Sequence, residues 1–489
     1  MAILIAVRPH PTMGWMRAAC RLLGVLSMVL ATDARADPGG ERFTLEAAVE
    51  EALGQTRAVV RAKADVLILD NQKTRAWANV LPTLDVLFVA AERFKNRPIT
   101  EIRYPLFCNA AGVTPGECEE RGFDYIEGPF DDRAQLNNSS DPRLDVVITA
   151  RQLLYDSGRS WEAIAQADDR KRRYEALLEA VENNVRLDVV RTFYGLESAM
   201  RATETFEYRV ALGEAQLERA RSLMSQGRGK AADVANAERN LAEDRVTLAR
   251  RRFNESRQRR ALNLVMARAA DAPIRIELPH EVATATAPLS ALRLPAPEDV
   301  KATALEHRPD LIVTRILLDE VAHDVTMNAA RYGPTLTLDA NYRRGSRRPD
   351  RVFDDPTTNF IATLGVTLRW NLFEGFRTDA LVAESELALV KVQADYDDLE
   401  RRVLAEGLDR LENLHITIQV FELARDAYRS AEDAVHLVRR LFEEGKNTAL
   451  ELRDAELKYT NAQLALIDAR LQVEVAREEL RRAVGAEML

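Results

Sequence analysis

Two periodicities alternate along this chain. Four short stretches change polarity at every residue, and two very long stretches follow a helical pattern. The clearest alternation runs from Asn359 to Trp370. One face carries Phe360, Ala362, Leu364, Val366, Leu368 and Trp370, and the other is mostly Asn359, Thr363, Gly365, Thr367 and Arg369. Period two over this length predicts a strand with one apolar and one polar face. Thr335 to Arg343 repeats the pattern, as does Arg143 to Arg151 and, more weakly, Leu84 to Phe94.

The helical stretches are unusually long. No proline occurs from Gly158 to Met224 or from Phe376 to Phe442, and each run as a helix would measure roughly 100 Å. In the last helix Leu452, Tyr459, Leu466, Val473 and Leu480 recur every seven residues. Ala455, Ala462, Ala469, Ala476 and Ala483 follow each by three. That is an a/d seam, and alanine along one edge lets backbones approach closely. A second seam, Leu450, Leu457, Leu464 and Leu471, lies on another face. A helix with two seams packs against two neighbours, as in a wall or tube. The run from Val234 is less regular: Leu241, Leu248 and Leu262 keep a seam that Asp244, Arg251 and Glu255 interrupt.

The order of elements occurs twice. Leu153-Leu154-Tyr155-Asp156 aligns with Asn371-Leu372-Phe373-Glu374 at an offset of 218 (372 − 154). The same offset carries Gln226-Gly227-Arg228 onto Glu444-Gly445-Lys446. This predicts an internal structural repeat: repeat 1 over 37–270, a linker over 271–296 and repeat 2 over 297–489, each a helix, two strands and a long helical hairpin. The loops differ. Pro82 to Leu154 is 72 positions and Pro334 to Leu372 is 38, so the first loop is longer by 34 (72 − 38).

Strands of this pattern and length match transmembrane β-strands. Four strands cannot close a barrel, and open sheet edges are not tolerated in lipid. The fold class expected is therefore a mixed α and β membrane protein. A transmembrane β-barrel is completed by trimerisation, four strands per chain, beside a long helical part. Asp145, Arg151, Asp339, Arg343 and Arg369 would then face a water-filled lumen.

Composition narrows this further. Residues 1–36 read as a secretory signal. Arg17 and Arg21 precede the apolar run Leu22–Ala31, and Ala34-Arg35-Ala36 supplies a cleavage pattern. Segment 1–36 holds four Arg and one Asp, so the formal charge of −9 becomes −12 after cleavage (−9 − 3). An acidic balance argues against nucleic acid as a partner. Cys108 and Cys118 remain in a Gly/Pro loop, and in an exported protein a disulfide is the simplest reading. A metal pair is the alternative, with no third or fourth ligand nearby in sequence. The six His are scattered, and no nucleophile elbow or cofactor motif appears. No enzyme and no cofactor is expected.

Both long runs break at polar glycine turns, Ser225-Gln226-Gly227-Arg228-Gly229-Lys230 and Glu443-Glu444-Gly445-Lys446-Asn447. Glycine suits a helix C-terminus, and Thr448-Ala449-Leu450-Glu451 is a capping box that starts the next helix. Glu451 and Asp454 lie one turn apart just after the second tip. Glu451 has two readings: it completes the cap, or three copies ring these carboxylates around a narrow opening that binds cations.

These residues resemble the TolC family of outer-membrane efflux and secretion channels. Phe43-Thr44-Leu45-Glu46-Ala47-Ala48-Val49 resembles the opening helix motif, and His307-Arg308-Pro309-Asp310-Leu311 the start of the second half. Tyr332-Gly333-Pro334-Thr335-Leu336 and Trp370-Asn371-Leu372-Phe373-Glu374-Gly375 resemble the strand borders. The resemblance implies a homotrimer in outer-membrane lipid, with a twelve-stranded barrel continuing into a periplasmic tunnel of twelve helices. It implies passive export from an inner-membrane pump (RND or ABC type) through a periplasmic adaptor. The adaptor-contacting tips would fall on Gly227, Arg228, Gly445, Lys446 and Asn447, and the pore constriction on Glu451 and Asp454. The sequence departs at Asn447, where secretion-type members carry a gating arginine. The alternative reading of the chain is a soluble periplasmic coiled-coil scaffold.

Overall fold

The computed structural model describes residues 41–98, 107–108, 124–125, 136–277, 293–346 and 360–486. The signal segment and Cys118, and with it the expected Cys108–Cys118 bridge, lie outside the described residues.

In chain order the elements are β1 (Glu41–Phe43), α1 (Leu45–Gln55), α2 (Arg57–Ala78), β2 (Thr83–Pro98), β3 (Phe107–Cys108), β4 (Asp124–Tyr125) and β5 (Leu136–Tyr155). Then come α3 (Arg159–Ser225), α4 (Ala231–Val265), β6 (Ile274–Ile276), α5 (Pro297–His307) and α6 (Pro309–Ala329). The chain ends with β7 (Thr335–Ser346), β8 (Phe360–Arg369), α7 (Arg377–Glu443) and α8 (Ala449–Val484). The protein is mostly helical with a small antiparallel sheet. The chain forms two compact units.

One unit comprises Ala64–Leu177 and Asp310–Leu399. It holds the sheet, in the order β2-β5-β7-β8 with every pair antiparallel. These strands are the four alternating segments. Register follows the pattern because a one-residue slip would move every side chain to the other face. Arg151 lies opposite Asp339, and Asp339 opposite Gly365. A bulge at Leu154 restores Tyr155 to the apolar face opposite Leu336. The apolar face stays bare: Leu364 is 75% exposed and Leu84 69%. Residues 156–158 connect β5 to α3, and residues 370–376 connect β8 to α7. Ser157 and Gly158 have φ of +60° and +88°, and Gly375 and Phe376 +61° and +64°. Gly333 packs so closely on Ser157 that a Cβ there would collide with that side chain.

The helices of this unit meet through charge. Glu320 on α6 accepts from Arg173 at 2.5 Å and Arg170 at 3.3 Å on α3. His323 on α6 lies between Glu162 (2.5 Å) and Asp169 (3.0 Å) of α3. Arg172 also pairs with Asp169.

The other unit comprises Met1–Lys63, Leu178–Pro309 and Glu400–Leu489. Its core gathers Val49, Val59, Val189, Phe193, Leu262 and Met266. β1 and β6 pair in parallel beside it, so residues 274–276 of the segment read as a linker are strand. Thr44 caps α1 by accepting from the Ala47 N–H. Arg308 is buried; it donates to the Ala483 carbonyl at 2.8 Å and pairs with Glu406 at 2.8 Å, capping the end of α8. Within this unit α4 lies on α3, α3 on α8, and α8 on α7. The pairs Arg252–Glu207 (2.8 Å), Arg186–Glu478 (3.1 Å) and Tyr428–Tyr459 (3.2 Å) mark the three seams.

Candidate functional site

Both glycine turns are Schellman caps. Gly227 donates to Met224 and Arg228 to Leu223; Gly445 donates to Phe442 and Lys446 to Leu441. Their φ values, +73° and +76°, lie in the left-handed region that favours glycine. The helices on either side correspond at the same offset of 218: α3 and α7 both have 67 residues, and α4 begins at 231 where α8 begins at 449. The turns leave Arg228 and Lys446 exposed and Asn447 half-buried. Arg219 on α3 stacks over Phe442 on α7, 5.5 Å from the ring centroid, so both hairpins end at one level.

Glu451 sits inside the capping box. It accepts from the Thr448 N–H at 2.7 Å, and Thr448 Oγ1 accepts from the Glu451 N–H at 3.3 Å. Hydrogen bonds from the Thr448 backbone and hydroxyl hold its carboxyl below the usual range. Asp454 is exposed and pairs with Lys458 at 2.7 Å. Both carboxylates therefore point to solvent in the single chain, and Glu451 fills the local role and leaves one oxygen outward.

Between them stands Arg453, which turns the other way. It makes a bidentate pair with Asp244 of α4, at 2.7 and 2.8 Å. Arg209 of α3 adds a contact to the same carboxylate at 2.9 Å. Asp244 is 2% exposed. Burial, with Arg453 beside it, pulls the Arg209 guanidinium below its ordinary value; Asp244 opposes the shift. Sequence reading marked Asp244 only as a break in an apolar seam. A lone acid at a seam position was the available signal, but its two arginine partners come from other helices. Glu456, also buried, accepts from Gln216 at 3.1 Å.

On the sheet, the five residues assigned to a lumen share one face. Asp145, Arg151, Asp339, Arg343 and Arg369 all alternate with the apolar set. Four of them neutralise each other, Arg151 with Asp339 at 2.7 Å and Arg343 with Asp145 at 2.9 Å. Asp145 is thereby buried rather than open to solvent. Trp370 and Tyr332 mark one end of the apolar face, the Trp370 indole donating to the Tyr332 carbonyl at 2.9 Å. Among the described residues no cluster of three His, Cys, Asp or Glu side chains suits a metal ion, and no helix is long and apolar enough to cross a membrane.

Residues 301–486 match the family described as outer membrane efflux protein. Outer membrane protein TolC of Vibrio cholerae is 23% identical over 356 residues, 70% of this chain and 76% of that protein. Outer membrane efflux protein BepC of Brucella suis is 24% identical over 344 residues, 70% of this chain and 72% of that protein. Among solved structures, CusC superposes with a TM-score of 0.71 at 15% identity, covering 93% of this chain and 96% of that one. The family match thus spans the half of the chain that holds the His307–Leu311 motif, β7, β8 and the Gly445 tip, and the likeness to the solved structure extends the same fold over nearly the whole chain.

Proposed function

We propose that this chain is one third of a passive export channel. Three copies close a twelve-stranded barrel in the outer membrane, and their hairpins form a periplasmic tube that receives substrates from an inner-membrane pump through an adaptor. The observation that carries this reading is the sheet. Among the described residues it has two unpaired edges, β2 and β8, a bare apolar face, and a polar face on which Arg151 pairs with Asp339 and Arg343 with Asp145. Unpaired edges and bare apolar surface suit lipid only after closure with further strands. The matching helix lengths and tip geometry support descent of the two halves, 37–270 and 297–489, from one duplicated unit. The tip residues Gly227, Arg228, Gly445 and Lys446, with half-buried Asn447, are the surface offered to an adaptor. Glu451 and Asp454, repeated three times, would form an acidic ring that concentrates cations at the entrance.

The test is localisation and assembly. The protein should fractionate with the outer membrane, run as a heat-sensitive trimer, and conduct ions in planar bilayers. A processed protein that is a monomer in water without detergent would overturn the reading.

A further inference from the structure

The apolar face of the sheet is not uniform. A depression of about 310 Å³ opens on it. Alanine occupies positions 150, 340 and 362 there, on three successive strands, and the larger Ile148, Tyr342 and Leu364 complete the lining. Phe360 stacks on the Tyr342 ring with centroids 5.5 Å apart. The volume is about twice the 150 Å³ of a protein cavity that holds benzene.

The depression lies at a defined height. Ala340 and Tyr342 stand five and seven positions beyond Thr335, where β7 begins (340 − 335 and 342 − 335). At about 3.4 Å per position and a tilt of about 40°, these are roughly 13 and 18 Å along the barrel axis. The hydrocarbon of one leaflet is about 15 Å deep, half of the core. The depression therefore sits where the acyl tails of the periplasmic leaflet end.

The periplasmic end of the same face carries cations. Trp370, 58% exposed, donates to the Tyr332 carbonyl at 2.9 Å, and the Tyr332 hydroxyl donates to Asp379 at 2.6 Å. These bonds tie the entry to β7, the exit of β8 and the first turn of α7 into one corner. Arg331 and Arg377 flank it; both are exposed, and neither makes an ion pair among the described residues. The acids of the corner are engaged by hydroxyls instead, Asp379 by Tyr332 and Glu374 by Thr378 at 3.3 Å.

We propose that each chain binds one phospholipid of the periplasmic leaflet on this face. Arg331 and Arg377 take its phosphate, Trp370 packs at the glycerol level, and one acyl chain follows β7 and β8 to end in the alanine depression. Guanidinium groups pair with phosphate through two parallel N–H donors, and tryptophan favours the boundary between headgroups and hydrocarbon. Phosphate partners at a fixed distance from an apolar hollow favour a chain long enough to span the leaflet. The proposal rests on the outer-membrane reading above and adds a lipid ligand to it.

Native mass spectrometry of the full-chain trimer in detergent tests it, with dipalmitoyl phosphatidylglycerol as the probe. The trimer should retain one lipid per chain. Arg331→Gln with Arg377→Gln should weaken binding about tenfold and leave binding of phosphate-free dipalmitoylglycerol unchanged. Ala340→Phe, which fills the depression, should weaken binding of the dipalmitoyl probe but not of its dihexanoyl form. Ala90→Phe, opposite Leu144 on the apolar face of β2 and outside the depression, should change neither. Unchanged binding in the arginine pair or in Ala340→Phe overturns the proposal, as does retention of lipopolysaccharide in preference to the phospholipid. A trimer that retains no lipid also overturns it and leaves the channel reading intact. Absence of any trimer in the unsubstituted protein overturns both.

Discussion

Arg453 gives both terminal guanidinium nitrogens to the carboxylate of Asp244, across a boundary between helices separated by 209 positions in the chain (453 − 244). Arg209 shares the acid, so three helices converge on one buried charge. Asp244→Ala would leave two buried guanidinium groups facing each other. It should cost about 3–5 kcal/mol of stability, the usual penalty for removing one partner of a buried ionic site. Thermal unfolding of the detergent-solubilised protein measures it. Arg453→Lys should also destabilise, but less, because an ammonium cannot reproduce the bidentate geometry.

Glu451 and Asp454 separate by context. Glu451→Ala together with Asp454→Ala should raise single-channel conductance or weaken cation block in planar bilayers. Thr448→Ala removes the cap and keeps both carboxylates. It should loosen the start of α8 by about 1 kcal/mol, read as faster amide exchange over 448–452, with cation block unchanged. Loss of block in Thr448→Ala but not in the double variant would return both acids to a structural role.

His323 supplies a pH dependence. Burial pulls its pKa down, but the hydrogen bonds to Glu162 and Asp169 outweigh this and leave it raised. A raised folded value stabilises fully below the unfolded pKa of about 6.5, and this contribution is lost as pH rises through the folded value. Melting temperature should therefore fall between mildly acidic and mildly alkaline pH more steeply in the native protein than in His323→Gln. Parallel curves for the two would exclude the effect.

Gly485 ends α8 at φ +82°, and a Cβ there would sit 2.3 Å from the His307 carbonyl oxygen. Gly485→Ala should cost about 3 kcal/mol through strain and overpacking against backbone. Gly54→Ala, on a helix with open space around it, should be neutral or slightly stabilising in the same unfolding assay.

How much of this was legible in the sequence follows from range. The strands were readable because a bare apolar face and a polar face alternate without exception from Leu336 to Tyr342. The long helices were readable because proline is absent and two glycines repeat at one offset. The a/d seam of α8 is buried at Leu452, Leu466, Val473 and Leu480, as the heptads require. Its second seam is buried at Leu471 while Leu450 stays 78% exposed in the single chain. What the sequence hid was non-local. Three-residue strands β1 and β6 carry too few positions to show a period. Arg308 looked like part of a motif, and its task of capping a helix end 175 residues away became clear only in space.

The two strand-to-helix joints end alike, on Ser157-Gly158 before α3 and on Gly375-Phe376 before α7. Each spends its two residues on a left-handed kink, and one of the two kinks includes phenylalanine despite the steric penalty. The first turn of α3 and of α7 is consequently tied to a backbone shape that few side chains tolerate, so a substitution at Gly158 or Gly375 would be felt at the start of the helix that follows.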